Sequence, residues 1–187
     1  KNIYLSSMMF GSQDLSITVD ECEKKDWNLE FSSGIPFFHD AKKIFFNSKI
    51  QKLAHNYFPA PENPFVLNLG SSNDEIRKKS IFHCKQGLNL AKKSNGSFFS
   101  AHAGFCVDPS EEMLGKKFNY NNKINRVLNK KLFIKSLKEI NEYAMSINSV
   151  FLFENNVLTI ENNGKSNPLL CCDSSEIIEI IESVNSN

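Results

Sequence analysis

The stretch from Phe98 to Gly104 reads Phe-Phe-Ser-Ala-His-Ala-Gly, an apolar run that ends in an imidazole. A second run, from Val150 to Asn156, reads Val-Phe-Leu-Phe-Glu-Asn-Asn and ends in a carboxylate. A third, from Leu53 to Tyr57, reads Leu-Ala-His-Asn-Tyr. Each predicts a short buried strand with a metal-binding side chain at its C-terminal end. Such ends meet on one face of a parallel α/β barrel, so we expect the three groups to lie together there.

Strand and helix patterns alternate along the whole chain, which is typical of βαβ units and a parallel sheet. Ser72 and Glu75 form a capping-box pattern at the start of the clearest helix, and Asp173 precedes the last helix as a cap. The strands are apolar throughout, which indicates that both faces of the sheet are covered. We predict strands at residues 1–9, 27–31, 50–57, 97–101 and 149–155, and helices at 14–25, 39–47, 72–96, 129–147 and from 174 onward.

The number of elements predicts an incomplete barrel. Five strands and five helices make about five eighths of an eight-fold βα barrel, which typically needs around 250 residues. The chain has 187 residues, enough for one domain spanning 1–187. We therefore predict an α/β fold of the TIM-barrel type, truncated to about its first five βα units. The alternative is an open five-stranded sheet, which lacks support because the sequence has no Gly-x-Gly-x-x-Gly motif.

Composition excludes several classes of protein. The 22 basic and 21 acidic residues nearly cancel, so charge gives no reason to expect a nucleic-acid partner. The five cysteines contain no Cys-x-x-Cys pair, which favours reduced thiols in the cytoplasm over disulfides or a cysteine zinc site. No apolar run approaches the roughly 20 residues of a membrane span, so no membrane partner is expected.

Four short motifs, on successive predicted strands, resemble the xylose isomerase-like TIM-barrel superfamily. They are Glu30-Phe-Ser-Ser-Gly, His55-Asn-Tyr-Phe-Pro, His102-Ala-Gly-Phe and Leu152-Phe-Glu-Asn-Asn, and the resemblance covers nearly the whole chain. This group includes sugar phosphate isomerases and epimerases and AP endonucleases of the endonuclease IV type. The resemblance implies a divalent metal (Mn, Mg, Zn or Co) with His55, His102 and Glu154 as ligands. The remaining ligands of the family come from later strands.

The resemblance also implies roles for the side chains around the metal. Glu154 would be the acid/base residue as well as a ligand, in an isomerase or epimerase that acts on a sugar or sugar phosphate through an enediolate. Substrate-binding residues would be His55, Asn56, Glu30 and Asn155. For Glu30 an ion pair with a lysine inside the barrel is the alternative. Asn155 and its neighbour Asn156 could equally orient Glu154 or turn the chain.

Two other functions stay open at this point. The same metal ligands fit a phosphodiesterase of the endonuclease IV type, acting on abasic DNA. The chain could instead be a non-catalytic barrel remnant, because open edges at the first and fifth strands favour association with a second copy.

Overall fold

Helices and strands alternate as the sequence predicts. The computed structural model describes residues 3–11, 14–94, 96, 98–114, 116, 118, 124–158 and 167–185. The strands in these residues are β1 Tyr4–Ser6, β2 Asn28–Phe31, β3 Lys52–Ala54, β4 Phe98–His102 and β5 Val150–Glu154. The α-helices are α1 Leu15–Lys25, α2 Ala41–Asn47, α3 Asp74–Lys93, α4 Arg126–Ser146 and α5 Ser174–Asn185. Short 3-10 helices cover Ser7–Phe10 and Glu111–Met113.

The first strand is shorter than predicted. Ser6 accepts a hydrogen bond on its hydroxyl from the Met8 amide, which starts the 3-10 turn at Ser7. Gly11, with a φ of 62°, ends that turn. The prediction that the strand continues to Met9 is therefore wrong, because a local side-chain cap turns the chain first. Residues 1, 2 and 97, which the predicted first and fourth strands include, lie outside the described residues.

The predicted helix caps have different outcomes. Asp173 accepts a hydrogen bond on Oδ1 from the Glu176 amide at 2.9 Å, so the predicted cap of α5 is confirmed. For α3 the capping box at Ser72 is wrong. Asn73 Oδ1 accepts instead from the Glu75 and Ile76 amides, at 2.9 and 3.4 Å. Asparagine and serine cap helices about equally well, so two adjacent candidates leave the choice to the surrounding chain.

Contacts between Cα atoms divide the chain into two compact units. Unit 1 contains residues 1–64, 84–101 and 144–152, and unit 2 contains residues 65–83, 102–143 and 153–187. Strand β4 continues from one unit into the other, because Ala101 ends a segment of unit 1 and His102 begins one of unit 2. The expectation of a single domain stays a prediction.

A parallel three-stranded sheet, in the order β1-β2-β3, lies in unit 1. Its register pairs Ser6 with Glu30 and Phe31 with Ala54, so the three strands end at the same edge of the sheet. Beyond β3, His55 forms a parallel bridge with Ser100 of β4. The second sheet contains β4 and β5.

Three phenylalanines form the centre of unit 1. Phe31 of β2, Phe45 of α2 and Phe58 are fully buried, with ring centroids 4.8 to 5.4 Å apart. These edge and tilted arrangements are the geometries that aromatic pairs prefer. The cluster therefore fixes α2 against the sheet whose strand ends carry the candidate site.

Gly87 of α3 lies against the buried ring of Phe99. A Cβ at this position would lie 2.3 Å from Phe99 Cε2, a distance that real Cβ contacts do not reach. An alanine favours a helix interior by about 1 kcal/mol, but a buried ring cannot move away freely, and overpacking typically costs about 1–3 kcal/mol. We expect Gly87→Ala to destabilise the protein in urea unfolding. Gln86→Ala is the control, and equal midpoints for the two variants would contradict this packing.

Loops in unit 2 are joined by the buried amide of Asn68. Its Nδ2 donates to the Val107 carbonyl at 2.9 Å and to Asp108 Oδ1 at 2.8 Å. Its Oδ1 accepts from the amides of Gly70 and Phe105, at 3.0 and 2.8 Å. These bonds fix the backbone that follows β4.

Strand β5 is not covered on both sides as predicted. Val150 and Leu152 are 52% and 43% exposed, whereas Phe151 and Phe153, which alternate with them along the strand, are half-buried. Phe151 lies 6.4 Å from Phe99, ring to ring. The apolar composition of β5 therefore did not distinguish a strand with one covered face from a fully buried strand.

Candidate metal centre

His55 follows β3 and is held by one bond to β2 and one to β4. Its backbone amide donates to the Phe31 carbonyl at 2.9 Å, and Nδ1 lies 2.8 Å from the Ser100 hydroxyl. The residue is 7% exposed. Because Nδ1 is engaged with Ser100, the ring orientation is fixed. Ser100 is a site residue that the sequence reasoning missed. The signal was one hydroxyl inside an apolar strand, two residues before a histidine.

His102 and Glu154 are the last residues of β4 and β5, as predicted. His102 Nδ1 lies 3.4 Å from Glu154 Oε2, and the two side chains are 50% and 44% exposed. The backbone continues the pairing, since the Ala103 amide donates to the Glu154 carbonyl at 2.9 Å. The carboxylate at the end of an apolar strand thus has an imidazole partner and contact with solvent.

Within unit 2, these two residues form a donor group of metal-ligand type, an imidazole nitrogen and a carboxylate oxygen 3.4 Å apart. Donor atoms that share an ion at about 2.1 Å lie at most about 4.2 Å apart, so this spacing can hold a metal. Imidazole and carboxylate ligands suit Zn²⁺, Co²⁺ and Mn²⁺. His55 belongs to unit 1, and its role as a third ligand stays a prediction.

The other predicted substrate residues have different surroundings. Glu30 is half-buried on β2, beside Ser6 and Leu53. Asn56 is 2% exposed at a φ of 47°, and its amide donates to the Ser33 hydroxyl at 3.2 Å. Asn155 is exposed and donates to the Asn156 carbonyl at 3.4 Å. None of the three is part of the donor group, and their substrate roles stay predictions.

Gly104 is explained by the packing of the chain around it. A Cβ here would lie 2.8 Å from the Gly70 amide nitrogen and 3.1 Å from Asn68 Oδ1. The close approach is therefore between two segments of the protein itself.

A cavity of about 720 Å³ lies in unit 1 beyond the ends of β1 and β2. Its walls include the apolar side chains of Met8, Leu15, Ile35 and Phe38, and its charged wall residue is Asp14. Hydrogen bonds from the hydroxyl and amide of Ser16 hold the pKa of Asp14 below its usual value, so the carboxylate is ionised at neutral pH. The cavity therefore has apolar and anionic walls without a basic side chain.

The described helices include none with the length and apolar character of a membrane span.

Solved structures of sugar epimerases and isomerases are similar to this chain over most of its length. A D-tagatose 3-epimerase-like protein matches 97% of this chain and 60% of its own, with a TM-score of 0.69 at 16% identity. The D-psicose 3-epimerase of Clostridium cellulolyticum, solved with D-tagatose, matches 94% of this chain and 56% of its own, with a TM-score of 0.59 at 16% identity. A xylose isomerase domain protein of Planctomyces limnophilus matches 90% and 54%, with a TM-score of 0.54 at 12% identity.

Sequence comparisons add nothing to this likeness, since no family model and no curated protein matches the chain. At identities of 16% and below, the similarity shows a shared fold. The chain spans 60% or less of the length of these three structures.

Proposed function

Because the chain folds as part of a xylose isomerase-like TIM barrel, we propose that it is a metal-dependent isomerase or epimerase of a sugar. The observation that supports this most is the contact of His102 and Glu154 at the ends of two neighbouring strands. Strand ends are where barrels of this type have their active sites, and His55, after the preceding strand, is the proposed third ligand. The names of the similar structures, which are sugar epimerases and isomerases, agree with this proposal.

In the proposed reaction Glu154 transfers the proton. Its carboxylate removes a proton from the carbon beside the sugar carbonyl. In an isomerisation the resulting acid returns the proton to the neighbouring carbon while a proton passes between the two oxygens, whereas an epimerisation needs a second acid on the opposite face of the enediolate. His55 and His102 would be the other metal ligands. The bond between His55 Nδ1 and the Ser100 hydroxyl keeps the His55 ring in one orientation. A bound divalent ion would supply charge stabilisation for the enediolate oxygens. Glu30, Asn56 and Asn155 keep their proposed substrate roles, and a cytoplasmic location and association with a second copy likewise stay predictions.

The charge pattern of the unit 1 cavity favours neutral sugars over sugar phosphates as ligands of that cavity. The sequence has no lysine or arginine between Lys1 and Lys24, or between Lys25 and Lys42, the segments that contain the cavity walls. Phosphate recognition normally uses Arg, Lys or free backbone amides. The ionised carboxylate of Asp14 would repel a phosphate group. We therefore propose that neutral ketoses are better substrates than ketose phosphates.

Turnover assays test this proposal directly. The purified chain would be freed of metal with EDTA, reloaded with Mn²⁺, Mg²⁺, Co²⁺ or Zn²⁺, and incubated with a panel of ketoses and ketose phosphates. We expect epimerised or isomerised ketose in the presence of metal, loss of activity with EDTA, and slower reaction of the phosphates. His102→Ala should reduce metal binding, whereas His39→Ala, at an exposed position, should not.

Three other outcomes would replace the proposal. Cleavage of abasic DNA without sugar turnover would favour the endonuclease, which uses the same ligands. Metal binding without either reaction would leave a binding protein. The absence of both metal binding and turnover would favour a non-catalytic remnant.

A further inference from the structure

Asn156 forms several hydrogen bonds to the backbone near His102 and Glu154. Its Nδ2 donates to the carbonyls of Gly104 at 3.0 Å and Leu170 at 2.9 Å, with the Ala103 carbonyl at 3.5 Å. Its backbone amide donates to the Cys171 carbonyl at 3.1 Å. A side-chain amide nitrogen carries two protons, so both strong bonds use its full capacity.

These bonds join the residues that directly follow the two ligands. Ala103 and Gly104 come after His102, and Asn156 comes two residues after Glu154. The Ala103 amide also donates to the Glu154 carbonyl. The backbone beyond both strand ends is thus fixed at a spacing that gives the 3.4 Å contact of His102 and Glu154. This matters because both side chains are about half exposed and would otherwise lose more conformational freedom when they hold a ligand.

The same bonds continue to a strong ion pair in unit 2. The Leu170 amide donates to the Gly104 carbonyl at 3.2 Å, and the Cys171 amide donates to Glu176 Oε2 at 2.7 Å. Glu176 in turn pairs with Arg126. The strand ends are therefore connected to the ion pair between α4 and α5.

The neighbouring asparagine provides a contrast. Asn155 is exposed, and the bond from its side-chain amide to the Asn156 carbonyl, at 3.4 Å, lies near the limit of hydrogen-bond length. The two residues are chemically identical and adjacent, and differ only in what their side chains contact. They therefore form a matched pair for experiment.

From these contacts we infer that Asn156 is the positioning residue of the site, which holds His102 and Glu154 at the spacing that metal binding requires. This inference rests on the proposed function for the identity of the ligand. Residues that orient metal ligands typically cost 10–100-fold in metal affinity when they are removed.

The test compares Asn156→Ala with Asn155→Ala in the full chain. Mn²⁺ affinity is measured by electron paramagnetic resonance, and the visible spectrum of the Co²⁺ form reports ligand geometry. We expect Asn156→Ala to weaken Mn²⁺ binding about 10–100-fold and to alter the Co²⁺ spectrum. Asn155→Ala, whose proposed role concerns the sugar and not the metal, should keep a Mn²⁺ affinity within about twofold of the parent in these sugar-free measurements. Asn156→Gln keeps the amide donor and should recover part of the affinity, which a merely structural loss would not predict.

Hydrogen exchange separates this inference from the proposed function. If the parent binds no metal, the metal proposal fails, but Asn156→Ala should still speed exchange of the Ala103 amide at least tenfold relative to Asn155→Ala. Unchanged metal affinity, or unchanged Ala103 exchange in a chain that binds no metal, overturns the positioning role. If Asn156→Ala does not fold, Asn156→Ser, which keeps one hydroxyl donor, is judged by the same measurements.

Discussion

Glu154→Gln is expected to lower sugar turnover by at least about 100-fold, because a positioned acid/base residue typically contributes 10²–10⁴ to the rate. Glutamine keeps the size of the side chain and one oxygen, but it cannot accept the proton from the substrate carbon. The change removes the charge that faces His102 at 3.4 Å, so metal affinity should fall as well. Rates are therefore compared at metal concentrations that saturate each variant, which separates proton transfer from metal loss.

The control for Glu154→Gln is Glu142→Gln, a change of the same chemistry at an exposed position of α4. It should keep the parent rate and metal affinity. Glu154→Asp tests position: it keeps the carboxylate but draws it back by one methylene, and should recover only a fraction of the rate. A Glu154→Gln variant with the parent rate at saturating metal would remove Glu154 from the acid/base role.

Glu176→Ala is expected to cause the largest loss of stability. Both carboxylate oxygens of Glu176 lie 2.7 Å from Arg126 Nη2, and the glutamate side chain is 9% exposed. The carboxylate also accepts from the Cys171 amide. Removal leaves Arg126 Nη2 and that amide without this acceptor, and breaking a buried ion pair typically costs about 3–5 kcal/mol. Because Arg126 is 34% exposed, we expect the lower end, about 3 kcal/mol, in urea unfolding.

The matched control for this variant is Glu179→Ala, less than one helical turn further along α5. Glu179 lies 2.7 Å from Lys130 but is 56% exposed, and exposed pairs contribute about 0–1 kcal/mol. The two variants remove the same side chain from the same helix. Equal losses in both would show that burial of the Arg126 pair carries no extra stability.

The proximity of His102 and Glu154 could be predicted because its signal in the sequence is local. An apolar run that stops at a polar residue marks the C-terminal end of a strand. The topology of parallel sheets then brings such strand ends together. His102 and Glu154 follow this rule, and the structure brings their side chains into contact. Their identification needed only the sequence and a general rule of topology.

Other features depend on partners that are distant in sequence. Nothing local distinguishes Asn155 from Asn156, because the difference arises from carbonyls of residues 104 and 170. The exposed face of β5 was missed for the same reason, because the apolar composition of a strand does not show whether another element packs against each of its faces. The cap at Asn73 and the turn at Ser6 depend on local hydrogen bonds from the backbone to a side chain, and several neighbouring side chains could accept such a bond. In these cases the three-dimensional environment decides between locally equivalent choices.

The close approach at Gly104 has a consequence for the evolution of the chain. Any side chain there would have to displace the backbone at Gly70 and the amide of Asn68, which organises the loops of unit 2. A descendant in which the histidine of β4 is replaced would still be under selection to keep this glycine. The spacing of glycine after the fourth strand should therefore identify distant homologues even where His102 and Glu154 have been replaced.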